Sequence, residues 1–231
     1  MTWDISATLA RVEHHFGKPQ RQIAEASINS VNQRVRYAVF HYRSIDAELV
    51  AFKDRLGDRN LLEVHAGSDE EETEYYAFMD RVGAHAVACV QSIHALEDLL
   101  AATVYRCLNL DRFGKALDEH QLSLRETTTR LQTQPPYAKV QSQLESLKPN
   151  PHFAHIDALS NKAKHSTIVR PWISQNTDST RPDPLLFYFE AFTRRTDTFA
   201  QVPFNDLLEP ALRFAGNTRV DIGIELTALL K

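Results

Sequence analysis

The chain has 231 residues, 43% of them hydrophobic and 24% charged, with a formal net charge of -4. These figures suit a globular protein that buries ~70% of its unfolded surface, and they exclude disorder and collagen-like structure. No run of ~18 apolar residues stands out, so no membrane-spanning segment is expected. The acidic balance argues against a wholesale polyanion binder but leaves room for a local basic patch.

The first residues, Met1 to Ser6, lack the basic start and apolar stretch of a secretion signal. The two cysteines, Cys89 and Cys107, fall in one helical pattern, too far apart along it to bridge. They read as small core residues in a reducing compartment, and a cytoplasmic location is expected.

In chain order, Ile5, Leu9, Val12 and Phe16 mark a short helix that stops at Gly17 and Pro19. Ile28, Val31, Val35, Ala38, Tyr42, Ile45, Leu49, Phe52 and Leu56 then alternate spacings of 3 and 4, an apolar seam over four heptads. Gly57 is the expected C-cap. Ser68-Asp69-Glu70-Glu71 is a capping box opening a second long helix to about Leu108. Its seam runs through Met79, Val82, Ala86, Cys89, Ile93, Leu96, Leu100 and Cys107. Two such helices joined by a short connection should lie antiparallel, with Ile45 and Leu49 buried at the centre of the hairpin.

Beyond residue 110 the pattern weakens, with helices expected near Tyr137–Leu147 and His152–Val169. Arg170 to Pro184 reads as a polar loop. Leu185 to Thr193, rich in aromatics, pairs with Phe199 to Val202 as a β-hairpin spanning about 185–203. A C-terminal helix capped by Asn205 or Asp206 follows, with Gly216-Asn217 a candidate break. The expected fold is therefore mainly α: a long antiparallel helical hairpin with shorter helices and a small β-hairpin near the C-terminus, forming one domain over residues 1–231.

Glycine-rich phosphate loops, Gly-x-Ser-x-Gly and His-Glu-x-x-His are all missing. No histidine follows a glutamate by three positions, which removes the di-iron bundle motif. His94 and Asp98 share a helix face, as do His152 and His155, but neither pair makes a metal site. No cofactor or metal is expected.

One segment stands apart: Leu159-Ser160-Asn161-Lys162-Ala163-Lys164-His165. Asn161 and His165 lie one helical turn apart, with the two lysines alongside. Between Tyr137 and Arg181 six cations (Lys139, Lys148, Lys162, Lys164, Arg170, Arg181) face three acids (Glu145, Asp157, Asp178), a local charge of +3 on an acidic chain. Such lysines attract phosphate, and a neutral histidine accepts a proton. The plainer reading is a solvated helix whose last-turn cations suit its dipole.

Two long antiparallel helices followed by shorter ones, with a polar-x-x-x-His signature on a late helix, resemble the HEPN superfamily of small helical proteins, frequent in prokaryotic defence and toxin systems. Many of those are metal-independent endoribonucleases that dimerise and place an Arg and a His from each subunit around the scissile phosphate. Their signature is Arg, four to six residues, then His, with a polar residue often following the Arg. Here Asn161 matches that polar position and His165 the His, while Ser160 stands where the Arg belongs. The resemblance implies a module acting on RNA or within a defence complex, catalytically degenerate if the arginine is indispensable. His165 would then be the general base, Asn161 would orient the phosphate and Lys164 would supply the missing charge, with Lys162 and Arg170 binding RNA.

Arg34–His41, Arg36–His41 and Arg59–His65 also fit the spacing, but chance alone gives about two such matches in this composition. A homodimer is expected, both from the resemblance and because Val39, Val50, Val87, Val90 and Val104 widen the apolar stripes beyond one neighbour. The alternative is a non-enzymatic scaffold that oligomerises or binds a protein partner.

Overall fold

The computed structural model describes residues 2–175 and 185–231, and of His65 the backbone alone. The fold is mainly α, as the periodicity requires. Helix α1 (Ile5–Leu56) bends at Gly17, whose φ of 84° is left-handed; Pro19, lacking an N–H, follows the bend. The expected stop at Gly17-Pro19 is thus a bend, with helix on both sides. Gly57 ends α1 with φ 58°, its N–H donating to the Lys53 carbonyl at 3.0 Å.

The connection to the second long helix holds a short helix α2 (Leu61–His65), with a capping box between Asn60 and Glu63. Helix α3 (Asp69–His94) opens with the expected capping box: Ser68 N–H donates to Glu71 Oε2 at 3.0 Å, and Glu71 N–H to Ser68 Oγ at 3.3 Å. One uninterrupted helix to Leu108 is not what forms. The chain turns at Ala95 and restarts as α4 (Leu96–Cys107). The stretch Asp69–Cys107 also contains an 18-residue window of mean hydropathy 1.3, which by length and composition matches a membrane span; half of it is buried inside the fold. The sequence reading did not foresee such a window.

The chain clusters into two compact units. Unit 1 comprises Met1–Arg36, Ser92–Ala154 and Leu212–Lys231. It contains α4, α5 (Leu124–Gln132), α6 (Ala138–Glu145), the start of α1 and most of α8 (Phe204–Leu229). Its two chain ends are tied together: Thr8 and Thr227 share a hydroxyl hydrogen bond of 2.6 Å, and His15 Nε2 meets the Leu230 carbonyl at 2.9 Å. Gly223 is needed here, since a Cβ on it would stand 2.0 Å from the Trp3 ring.

Asp98, which shares a helix face with His94 in the sequence, caps α5 by accepting from Leu124 N–H at 2.9 Å. Lys139 and Lys148 are bound to Glu225 and Glu97, so they leave the basic patch. Helix α5 escaped the sequence reading, and α8 continues through Gly216-Asn217 without a break.

Unit 2 comprises Tyr37–Gln91 and His155–Ala211. Here α1 and α3 form the antiparallel hairpin, as a ladder of contacts records. Phe52 stacks on Phe78 at 4.2 Å, Glu48 binds Arg81 at 3.0 Å, His41 meets His85 at 3.0 Å, and Cys89 Sγ donates to the Ala38 carbonyl at 3.4 Å. The α1 seam is buried unevenly. Ala38, Ile45 and Phe52 are buried, whereas Val35, Tyr42 and Leu49, the alternate heptad row, are half-buried. Leu49 therefore lies at the seam's edge and not at its centre, because α1 is rotated so that the Ala38–Ile45–Phe52 row points at its neighbours.

Helix α7 (Pro151–His165) crosses from unit 1 into unit 2 and ends four residues before the expected Val169. The expected loop from Arg170 begins instead as strand β1 (Pro171–Gln175), which pairs antiparallel with β2 (Leu185–Phe189), Ile173 opposite Phe187. Residues 176–184, Asp178 and Arg181 among them, lie outside the described residues. In β2 the buried residues alternate (Leu185, Phe187, Phe189), the period of a half-buried strand. The aromatic run divides at Glu190-Ala191. Phe192–Arg194 (β3) and Asp197–Phe199 (β4) close a separate hairpin through Arg195, with φ 55°, and Val202–Pro203 (β5) returns to the far edge of β2.

Candidate functional site

The segment Ser160–His165 forms the last turns of α7, in unit 2, and the helical period separates its residues by environment. Ser160, at the arginine position of the resemblance, is 0% exposed. Its Oγ has no hydrogen-bond partner among the described residues. It lines a void of about 10 Å³ shared with Val87, Val90, Leu159 and Phe189, about the smallest space that holds one water.

Asn161 is half-buried and already engaged. Its Nδ2 donates to the Asp157 carbonyl at 2.9 Å and to Asp157 Oδ1 at 2.7 Å. The other oxygen of Asp157 holds Arg194 Nη1 at 2.6 Å. A charge-assisted pair of this kind fixes both side chains, so Asn161 sits in a brace between α7 and the β3–β4 hairpin. Lys162 Nζ adds to that brace by donating to the Thr193 carbonyl at 3.4 Å. The sequence placed Asn161 and Lys162 on a phosphate; the structure places them on the protein.

Lys164 and His165 are exposed, as is Arg170 just before β1. None of the three is in an ion pair with a described residue. The signature thus divides into a buried serine, two engaged side chains, and an exposed lysine and histidine, with the exposed Arg170 beyond it. The competing Arg–His spacings fare differently. Arg59 is bound to Glu71 at 2.6 Å and His41 to His85, while the side chain of His65 lies outside the described residues.

Arg170 lines a groove of unit 2 of about 1130 Å³, with one wall along α3 from Tyr75 to Gln91 and the other from Thr167 to Trp172. Its walls carry exposed apolar side chains: Tyr76 is 55% and Ile168 56% exposed. Trp172 stacks on Tyr188 at 5.3 Å, and its buried Nε1 has no partner among the described residues. The strand runs antiparallel to α3. Ile168 shares the small void with Val87 and Gln91, and Pro171 lies 3.4 Å from where a Cβ on Gly83 would stand. Arg170, next to Pro171, therefore belongs to the middle of the groove, near Gly83, and Thr167 and Ile168 to its Gln91 end. Asp80 lines the groove one turn from Gly83, and the acidic start of α3 lies before its Tyr75 end.

Sequence reasoning missed the groove's aromatic lining. Tyr75-Tyr76 sits among the acids that open the second long helix, and Trp172 fell in what read as a loop. Arg194 was visible only as part of a turn. Comparison with protein-family models, with curated proteins and with solved structures found no match.

Proposed function

We propose that this chain is a HEPN-like, dimer-forming module that binds single-stranded RNA at the C-terminal end of α7 without cleaving it. The observation that carries the reading is Arg170, exposed and in no ion pair with a described residue, on the wall of a groove lined by Tyr75, Tyr76 and Trp172, with the exposed Lys164 and His165 a few residues before it in the chain. Cations that track a phosphate chain beside aromatic faces that stack bases are the two ingredients of sequence-tolerant single-strand binding. Asp80 and the acids before it repel a phosphate chain, so RNA enters from the Gln91 end.

Loss of catalysis follows from Ser160. The arginine of an active site must reach the phosphate to stabilise developing charge, and this position faces the interior. Lys164, one turn on, supplies positive charge but no bidentate fork.

Purified protein incubated with total RNA in EDTA should retain RNA and leave it intact. Metal-independent cleavage that disappears in His165→Ala would overturn the degenerate reading and restore the enzyme, with His165 as general base. The protein should run as a dimer in light scattering at micromolar concentration.

A scaffold that binds another protein is the second reading, favoured by the exposed Tyr76 and Ile168 on the same groove. Complete indifference to RNA in a folded dimer would select it.

A further inference from the structure

The α1–α3 hairpin carries a second cluster that the RNA reading does not use. His41 on α1 and His85 on α3 face each other with their Nδ1 atoms 3.0 Å apart and their ring centroids 5.3 Å apart. Phe40, 59% exposed, sits edge-on to both rings, with centroids 5.2 and 6.2 Å away. Both imidazoles are half-buried, and the helices that carry them are fixed on either side by Glu48–Arg81 and by Cys89 on the Ala38 carbonyl.

Two ring nitrogens 3.0 Å apart require something positive near the line between them. A single proton serves when one ring is the Nδ1–H tautomer and the other presents its lone pair. Two protons do not, because both rings then present N–H. A divalent metal serves equally. With metal–nitrogen bonds of ~2.0–2.1 Å, two imidazoles at about a right angle stand ~3 Å apart, whereas a tetrahedral pair stands ~3.4 Å apart. The observed spacing is that of neighbouring positions in a square-planar or octahedral site, the preference of Cu(II) and Ni(II) over zinc.

We propose that His41 and His85 form a two-histidine site for Cu(II) or Ni(II) that clamps α1 to α3. On binding, the Nδ1 proton of the donor ring moves to Nε2, so both rings stay neutral, each gives one lone pair to the metal, and no net proton is released. Among the described residues no third His, Cys, Asp or Glu joins them. Water takes the remaining positions, and a copper ion in this site is tetragonal with two imidazole nitrogens.

The test is copper titration of the full chain at pH 7.5, read by calorimetry and by electron paramagnetic resonance. One copper per chain, with a tetragonal spectrum carrying two equatorial imidazole nitrogens, is expected. Affinity should fall by about tenfold or more in His41→Gln and in His85→Gln, at least the loss expected when a supporting group of a metal site is removed. His152→Gln should leave it unchanged. The wild-type spectrum reads the ligands without any substitution, so the proposal does not depend on the variants folding. A spectrum with fewer than two imidazole nitrogens, or copper affinity equal in wild type and both folded variants, overturns it.

Discussion

Replacing Ser160 with arginine would restore the signature that the resemblance lacks, and the structure predicts that it strongly destabilises the fold instead. The side chain is fully buried against Val87, Val90, Leu159 and Phe189, beside a void of about 10 Å³. A guanidinium and its stem exceed that space many times over. Overpacking a tight site costs about 1–3 kcal/mol, and burying a charge without a partner adds several more. A total of about 5 kcal/mol is a large share of the 5–15 kcal/mol that typical domains possess. At about 2–4 °C per kcal/mol for a chain of this size, the melting temperature should fall by roughly 10–20 °C.

Ser160→Ala goes the other way. It removes a hydroxyl that has no partner among the described residues, and relieving a buried unsatisfied group should stabilise the protein by about 1 kcal/mol. Urea titrations followed by circular dichroism measure both changes. A Ser160→Arg protein as stable as wild type, above all one that gains ribonuclease activity, would show that this position opens to the surface and that the argument for lost catalysis is wrong.

Ile45→Ala should cost about 2–5 kcal/mol, because the side chain is 3% exposed; Leu49→Ala, at the edge of the seam, should cost clearly less, and equal midpoints in denaturant would misplace the core. Burial pushes the thiols of Cys89 and Cys107 up to about 12, so neither should react with Ellman's reagent at pH 8 until urea unfolds the chain; prompt labelling of the native protein would contradict their positions. Burial, and secondarily the neighbouring His85, hold His41 below the usual histidine range. The unfolded chain then binds the extra proton first, so stability is complete above the ordinary value near 6.5 and declines as pH falls from there toward the lowered one. In metal-free buffer His41→Gln should flatten that decline, and an unchanged pH profile would refute the pairing.

The long helices were legible because apolar spacing alone sets them, and Gly57 and the Ser68–Glu71 capping box act within a few residues of themselves. What escaped depends on partners distant in sequence. Leu49 and Ile45 read alike in a heptad, and only the rotation of α1 against α3 separates them. Pro171–Gln175 carries a proline and reads as loop until β2 supplies the pairing edge. Asp98 beside His94 on one helix gave no sign that it would cap α5, 26 positions away.

The signature residues show the same division. Lys164 and His165 are exposed, as a solvated last helical turn implies, and so is Arg170, which the sequence placed at the start of a loop. The burial of Ser160 and the hold of Asp157 on Asn161 follow from packing against α3 and the β3–β4 hairpin. The local charge of the sequence could not separate free cations from those bound to Glu225 and Glu97.

The central claim is that the end of α7 binds RNA. Fluorescence anisotropy of a labelled single-stranded RNA, titrated in EDTA at several salt concentrations, tests it most directly. The wild type should bind with an affinity that falls steeply with salt, because bound phosphates release counterions. Lys164→Ala and Arg170→Ala should each weaken binding and lower the salt slope by about 0.7, the single-strand value for one phosphate contact. Affinity and slope unchanged in the folded double variant would contradict the account.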